Sequence, residues 1–190
     1  MANYEYIAQH AHVFGEPTCT DPGYCVCGQD GPVALGHNDA DGDDLCDVCT
    51  WNVKLAIEEI TTKYNDVKDT DKVDTTVGTA LFEGTEFNVT FNKGTSSFNK
   101  NGTDHMRLNN GNQIVVSTNG EKKIAGLVFV ATSESYVDEL ELYLQAAGYE
   151  YTVNGTELTV MLEECESVTI ANTSGKSQRI AAVHVIYFNA

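Results

Sequence analysis

The chain has 190 residues, room for one large domain or for a small domain beside a medium one. Its hydrophobic content of 42% supports a buried core and excludes a disordered acidic tail. A formal net charge of −17 excludes nucleic acid and anionic membranes as partners, because phosphate binding needs clustered Lys and Arg.

The N-terminus, MANYEYIAQHAH, shows no basic region followed by an apolar run, and no stretch of the chain reads as a membrane span. Two expectations fit: a cytosolic protein, or a mature or excised piece of a secreted one. Cysteine usage favours the second, since five of the six cysteines lie between Cys19 and Cys49. The first 50 residues hold those five cysteines and three of the five histidines, but no Lys or Arg. With few apolar runs to bury, residues 1–50 need metals or disulfides to hold a fold. Residues 51–75 mix a short apolar run with a polar tract and are expected as a connector. The only tryptophan, Trp51, stands at its start.

From residue 76 to 190 the pattern turns to alternation. Phe87, Val89 and Phe91 alternate with polar residues, as a half-buried strand requires. Similar runs follow in QIVVST, KIAGLVFVA, YEYTV, ELTVML, SVTIAN and RIAAVHVIYF. Asn110-Gly111, Asn119-Gly120 and Asn154-Gly155 separate them as hairpin-type dipeptides. The expected fold is mainly β, an antiparallel, jelly-roll-like β-sandwich preceded by a small irregular metal- or disulfide-stabilised module. One short helix interrupts the β rhythm in SESYVDELELYLQAAG, where Tyr136, Leu140, Tyr143, Leu144 and Ala147 recur at helical spacing. Ser135 and Asp138 suit its start and Gly148 its end.

Metal chemistry concentrates in HNDADGDDLCDVC, residues 37–49. Asp39, Asp41, Asp43 and Asp47 fall at loop positions 1, 3, 5 and 9, a set of oxygens suited to calcium. Thr50 stands where an EF-hand needs a carboxylate, which disfavours a complete EF-hand. Softer ligands surround this loop. Zinc needs four ligands at tetrahedral corners, and the expected set is Cys27, His37, Cys46 and Cys49, with Cys25 or His12 as substitutes. The competing expectation is a disulfide framework drawing on Cys19, Cys25, Cys27, Cys46 and Cys49, whose odd count leaves one thiol over. Cys165 is expected as a free or buried thiol.

On these residues the chain resembles known repeats. HNDADGDDLCDVC resembles calcium-binding repeats of the thrombospondin type 3 class, and HVFGEPTCTDPGYCVCG is similar to Cys-rich repeats in secreted proteins of gut Firmicutes. Asp44 replaces the usual glycine, and the first cysteine pair is C-x-C instead of C-x-x-C. KIAGLVFVA and ESVTIANTSGKSQRIAAVHVIYF resemble a β-sandwich module of modular extracellular bacterial proteins, which implies carbohydrate binding or adhesion without catalysis.

The functional expectation is therefore a non-catalytic extracellular binding or adhesion module for a glycan or protein, with a structural metal-binding N-terminal segment. Tyr136, Tyr143, Tyr149, Tyr151, Asn109, Asn110 and Arg107 are the candidate contacts, although core packing is the simpler account of the tyrosines and turns of the asparagines. The alternative is a structural subunit that self-assembles at the cell surface through metal-stiffened protein–protein contacts. Enzymatic chemistry has only the Asp104, His105 and Arg107 loop to point to, with no nucleophile in triad order.

Overall fold

The structure, a computed structural model, describes residues 16–22, 33–42, 45–49, 52, 54–94, 104–173 and 175–189. The chain forms two units, residues 1–54 and 55–190.

The second unit holds two antiparallel sheets, the mainly β architecture the alternation implies. One sheet has six strands: β1 (Leu55–Thr61), β5 (Met106–Leu108), β7 (Ile124–Ala131), β8 (Tyr151–Asn154), β9 (Glu157–Cys165) and β11 (Gln178–Phe188). Its order is β1-β11-β7-β9-β8, with β5 also pairing β11. The second sheet has the order β10-β6-β4-β3-β2, made from β2 (Val73–Asp74), β3 (Thr79–Glu83), β4 (Phe87–Asn92), β6 (Gln113–Thr118) and β10 (Ser167–Ala171). The chain changes sheet on entering β2, β5, β6, β7, β10 and β11, a jelly-roll-like path.

The alternation decides which side chains meet in the core. Val89 lies opposite Val116, and Phe91 opposite Ile114, in the smaller sheet. Leu127, Val160 and Val185 share one row of the larger sheet. Of these seven residues six are wholly buried, and Phe91 is nearly so. The rings of Phe87 and Tyr187, one from each sheet, lie 5.1 Å apart between centroids.

Helix α2 (Glu134–Ala146) follows β7 and buries Val137, Leu140 and Leu144 in the same core. Its N-cap is Ser133, two residues earlier than the sequence pattern suggests. Gly148 ends it as expected, at φ +80°, a conformation that costs a residue without Cβ little.

Two expectations need correction. Residues 51–75 are not simply a connector: LAIEEIT forms β1, which pairs residue for residue with β11 from Leu55–Phe188 to Thr61–Ala182. Tyr64 and Val67 of the short helix α1 (Tyr64–Val67) are buried in the core. The polar tract between these residues disguises them. Only one of the three Asn-Gly dipeptides closes a hairpin, at Asn154-Gly155 between β8 and β9. Asn110-Gly111 and Asn119-Gly120 carry the chain from one sheet to the other, because β5 and β7 belong to one sheet and β6 to the other.

β1 is also tied to the opposite sheet. The Glu58 carboxylate accepts the backbone N–H groups of Thr85, Glu86 and Phe87 in the β3–β4 turn, the last at 2.9 Å. A Cβ on Gly84 would stand 2.8 Å from the Phe87 carbonyl oxygen as well as 2.8 Å from this carboxylate, and the backbone contact is what requires glycine there.

Candidate metal centre

The first unit brings sequence-distant segments together by backbone hydrogen bonds. Leu35 N–H donates to the Thr18 carbonyl at 2.9 Å, and Gly36 N–H to the Cys19 carbonyl at 3.0 Å. Gly36, at φ +71°, then turns the chain toward His37. Asp47 N–H donates to the Asn38 carbonyl at 2.9 Å, which folds the C-x-x-C turn back over His37.

The result is a four-residue cluster of Cys19, His37, Cys46 and Cys49, whose ligand atoms all lie within 4.8 Å of one another. Cys19 Sγ and Cys46 Sγ are 3.6 Å apart and both side chains are buried. Cys49 Sγ lies 3.3 Å from His37 Nδ1 at the exposed side. Zinc–sulfur bonds of about 2.3 Å and zinc–nitrogen bonds of about 2.0 Å at tetrahedral angles give edges of about 3.8 Å and 3.5 Å. Both observed spacings are close to those edges. A disulfide needs its sulfurs at about 2.05 Å, and the four described cysteines are free thiols.

The electrostatics are uneven within the cluster. Backbone N–H groups of Cys49, Val48 and Asn38 point at Cys46 Sγ and pull its thiol pKa down to about 5, against the opposing effect of burial. Burial pushes the Cys19 thiol up to about 12, with Cys49 and Cys46 adding to the rise. One thiolate is thus preformed and a second group is held as a thiol until a cation compensates it. The group can hold a metal ion such as zinc.

This set differs from the expected one in its fourth member. Cys19 occupies the place assigned to Cys27, because residues 35 and 36 hydrogen-bond to residues 18 and 19. Cys27, Cys25 and His12 lie outside the described residues. A histidine before a close cysteine pair was the readable signal; the contribution of a cysteine far upstream depended on this backbone pairing.

The aspartates serve the loop in the described residues. Asp47 Oδ2 accepts Ala40 N–H at 3.0 Å and Asn38 Nδ2 at 3.3 Å. Asp39 Oδ1 accepts Gly42 N–H at 2.7 Å, with Gly42 at φ +79°. Such turn-capping bonds explain short polar side chains in a tight loop without a cation. Asp39, Asp41 and Asp47 do not form a metal-holding group of three among the described residues, so calcium gains no support. Asp43 lies outside them.

The other candidates separate by burial. His105 is buried, its Nδ1 2.6 Å from Asp104 Oδ1, and this bond holds the Asp104 carboxyl below the usual carboxylate range. His105 Nε2 and Arg107 Nε are buried without hydrogen-bond partners among the described residues. Tyr136 lies under the Arg179 guanidinium, 5.0 Å from ring centroid to carbon. It is half-buried against the core, as are Tyr143, Tyr149 and Tyr151. Tyr149 and Tyr151 also line an open groove of about 520 Å³. Asn109 accepts from Ser177 Oγ, and Asn110 sits in the turn leaving β5. Cys165 is half-buried, and burial raises its thiol pKa.

No helix among the described residues is long and apolar enough to cross a membrane. No family model matches the chain, nor does any curated protein or solved structure.

Proposed function

We propose that this chain is a non-catalytic extracellular binding module whose N-terminal unit is held together by a structural zinc ion. The observation that carries the reading is the complete quartet of Cys19, His37, Cys46 and Cys49. Four protein ligands close a tetrahedral zinc site and leave no position for water or substrate, the arrangement of structural and not catalytic zinc. Binding is then the work of the two-sheet unit, which presents grooves beside Tyr149 and Tyr151.

Elemental analysis and a free-thiol count on protein purified under reducing conditions test the zinc reading. One zinc per chain, released together with reactive thiols by a strong chelator, supports it. Absence of zinc with no free thiol at Cys19 or Cys46 replaces the site by a disulfide. Calcium that binds with stoichiometry while zinc does not refutes the ligand assignment. Size-exclusion chromatography with and without EDTA separates the module from the self-assembling subunit: metal-dependent assembly supports the subunit. A monomer retained on immobilised glycan or protein supports the module.

A further inference from the structure

We propose that the open stretch of β9 from Met161 to Cys165 receives an extended, lysine-rich segment of a partner protein as an added strand. The inference rests on the binding-module reading and gives that module a ligand class. The first observation is a mismatch of lengths. β9 runs from Glu157 to Cys165, but β8 pairs only with Glu157–Val160. Past Val160 no strand lies on that side among the described residues, and the chain passes as Gly148–Glu150 before entering β8.

The opposite edge of the same sheet shows what a completed line looks like. There β11 is longer than β1, and β5 continues the line by pairing Gln178–Ile180 beyond the end of β1 at Ala182. Two short strands sit end to end on one long strand. At β9 the described residues supply no such second strand.

The second observation is a groove of about 680 Å³ along the open stretch, lined by Tyr149, Glu150, Met161, Leu162, Glu163 and Cys165 among others. That volume is in the range of ligand pockets. A five-residue strand spans roughly 16 Å and hydrogen-bonds an unpaired edge through its backbone, while alternate side chains give specificity. Met161 is 49% exposed at this edge, an apolar side chain that an added strand would cover.

Charge chooses the occupant. Glu150 and Glu163 line the groove and are exposed. A second copy of this chain, with 28 acidic and 11 basic residues, is repelled by them. A strand alternating basic and apolar residues meets both the carboxylates and the apolar floor of Tyr149 and Leu162.

The test titrates the full chain into a fluorescent, end-capped peptide alternating Lys and Val, with the Glu–Val peptide as control, and maps amide exchange of the complex. The expected result is saturable binding of the Lys peptide only, with slowed exchange at Met161–Cys165. Glu150→Lys combined with Glu163→Lys should weaken binding about tenfold, with the circular dichroism spectrum unchanged. Absent binding overturns the proposal, as does binding that the double variant leaves intact or protection confined to β1 or β10. Protection of Met161–Cys165 that grows with protein concentration and without peptide also overturns it, by assigning the edge to a second copy. Zinc stoichiometry and assembly state are measured independently, so failure here is distinct from failure of the module reading.

Discussion

Glu58→Ala should cost the two-sheet unit about 2–3 kcal/mol of stability, most of it through one turn in the other sheet. The carboxylate receives three backbone N–H groups, from Thr85, Glu86 and Phe87. A hydrogen bond to a charged acceptor contributes about 1.5–3 kcal/mol, but the three are not equivalent. Thr85 is exposed and Glu86 half-buried, so water replaces much of what they lose. Phe87 is wholly buried, and its N–H is stranded. Urea unfolding is the assay: the midpoint should fall while the m-value stays constant. The melting temperature should drop by roughly 6–10 °C. Glu58→Gln keeps one acceptor but places an amide NH₂ against donors, and should lose about 1–2 kcal/mol. Glu59→Ala, one residue along and exposed, serves as the control and should stay within about 0.5 kcal/mol. A loss below about 0.5 kcal/mol for Glu58→Ala would refute the idea that this side chain joins the sheets.

Further outcomes concern the metal centre and the sheet interior. Cys46→Ser should lower zinc affinity at least about a hundredfold, measured by chelator competition, since even groups behind the ligands are worth 10–100-fold. Asp47→Ala, which removes the acceptor for Ala40 N–H, should lower it about tenfold. In the metal-free protein the Cys46 pKa is depressed from 9.0 to about 5. Its contribution is therefore full above pH 9 and lost as pH falls through 5. Cys19 is shifted the other way, to about 12, so its contribution is present below pH 9 and lost as pH rises through 12. Amide exchange of residues 33–49 in EDTA should accordingly be slowest near pH 9, after correction for intrinsic exchange; protection falling steadily from pH 5 to 9 would contradict the assigned directions. Gly126→Ala should cost about 1–3 kcal/mol in denaturant unfolding, because the new Cβ would stand 2.8 Å from the Val160 carbonyl oxygen.

The legible parts of this chain were those governed by local periodicity. EFNVTFN shows its strand because one face is buried and the other half-exposed, and α2 shows its apolar stripe in Tyr136, Leu140, Tyr143 and Leu144. β1 was harder, since its inward-facing position 58 carries a glutamate where a buried strand is expected to carry an apolar residue. That glutamate is explained only by a turn 27 to 29 residues away. The same limit applied at the metal centre. His37, Cys46 and Cys49 are close in sequence and readable as a ligand set, whereas Cys19 joins them through long-range backbone bonds. The aspartates gave the opposite lesson: regular spacing of carboxylates describes a capped turn as well as it describes a cation loop.

The position of β11 has a consequence for how the larger sheet is made. β11 is the last strand of that sheet in chain order, yet it lies inside the sheet and pairs with β1, β5 and β7. Leu55 finds its partner at Phe188, 133 residues later. During synthesis the earlier strands therefore wait for a template that has not yet been made, and their apolar faces stay uncovered in the interval. Such long-range closure makes folding slow, on a scale of about milliseconds to seconds. It also makes a chain that stops before Gln178 aggregation-prone, because three strands then have unpaired edges.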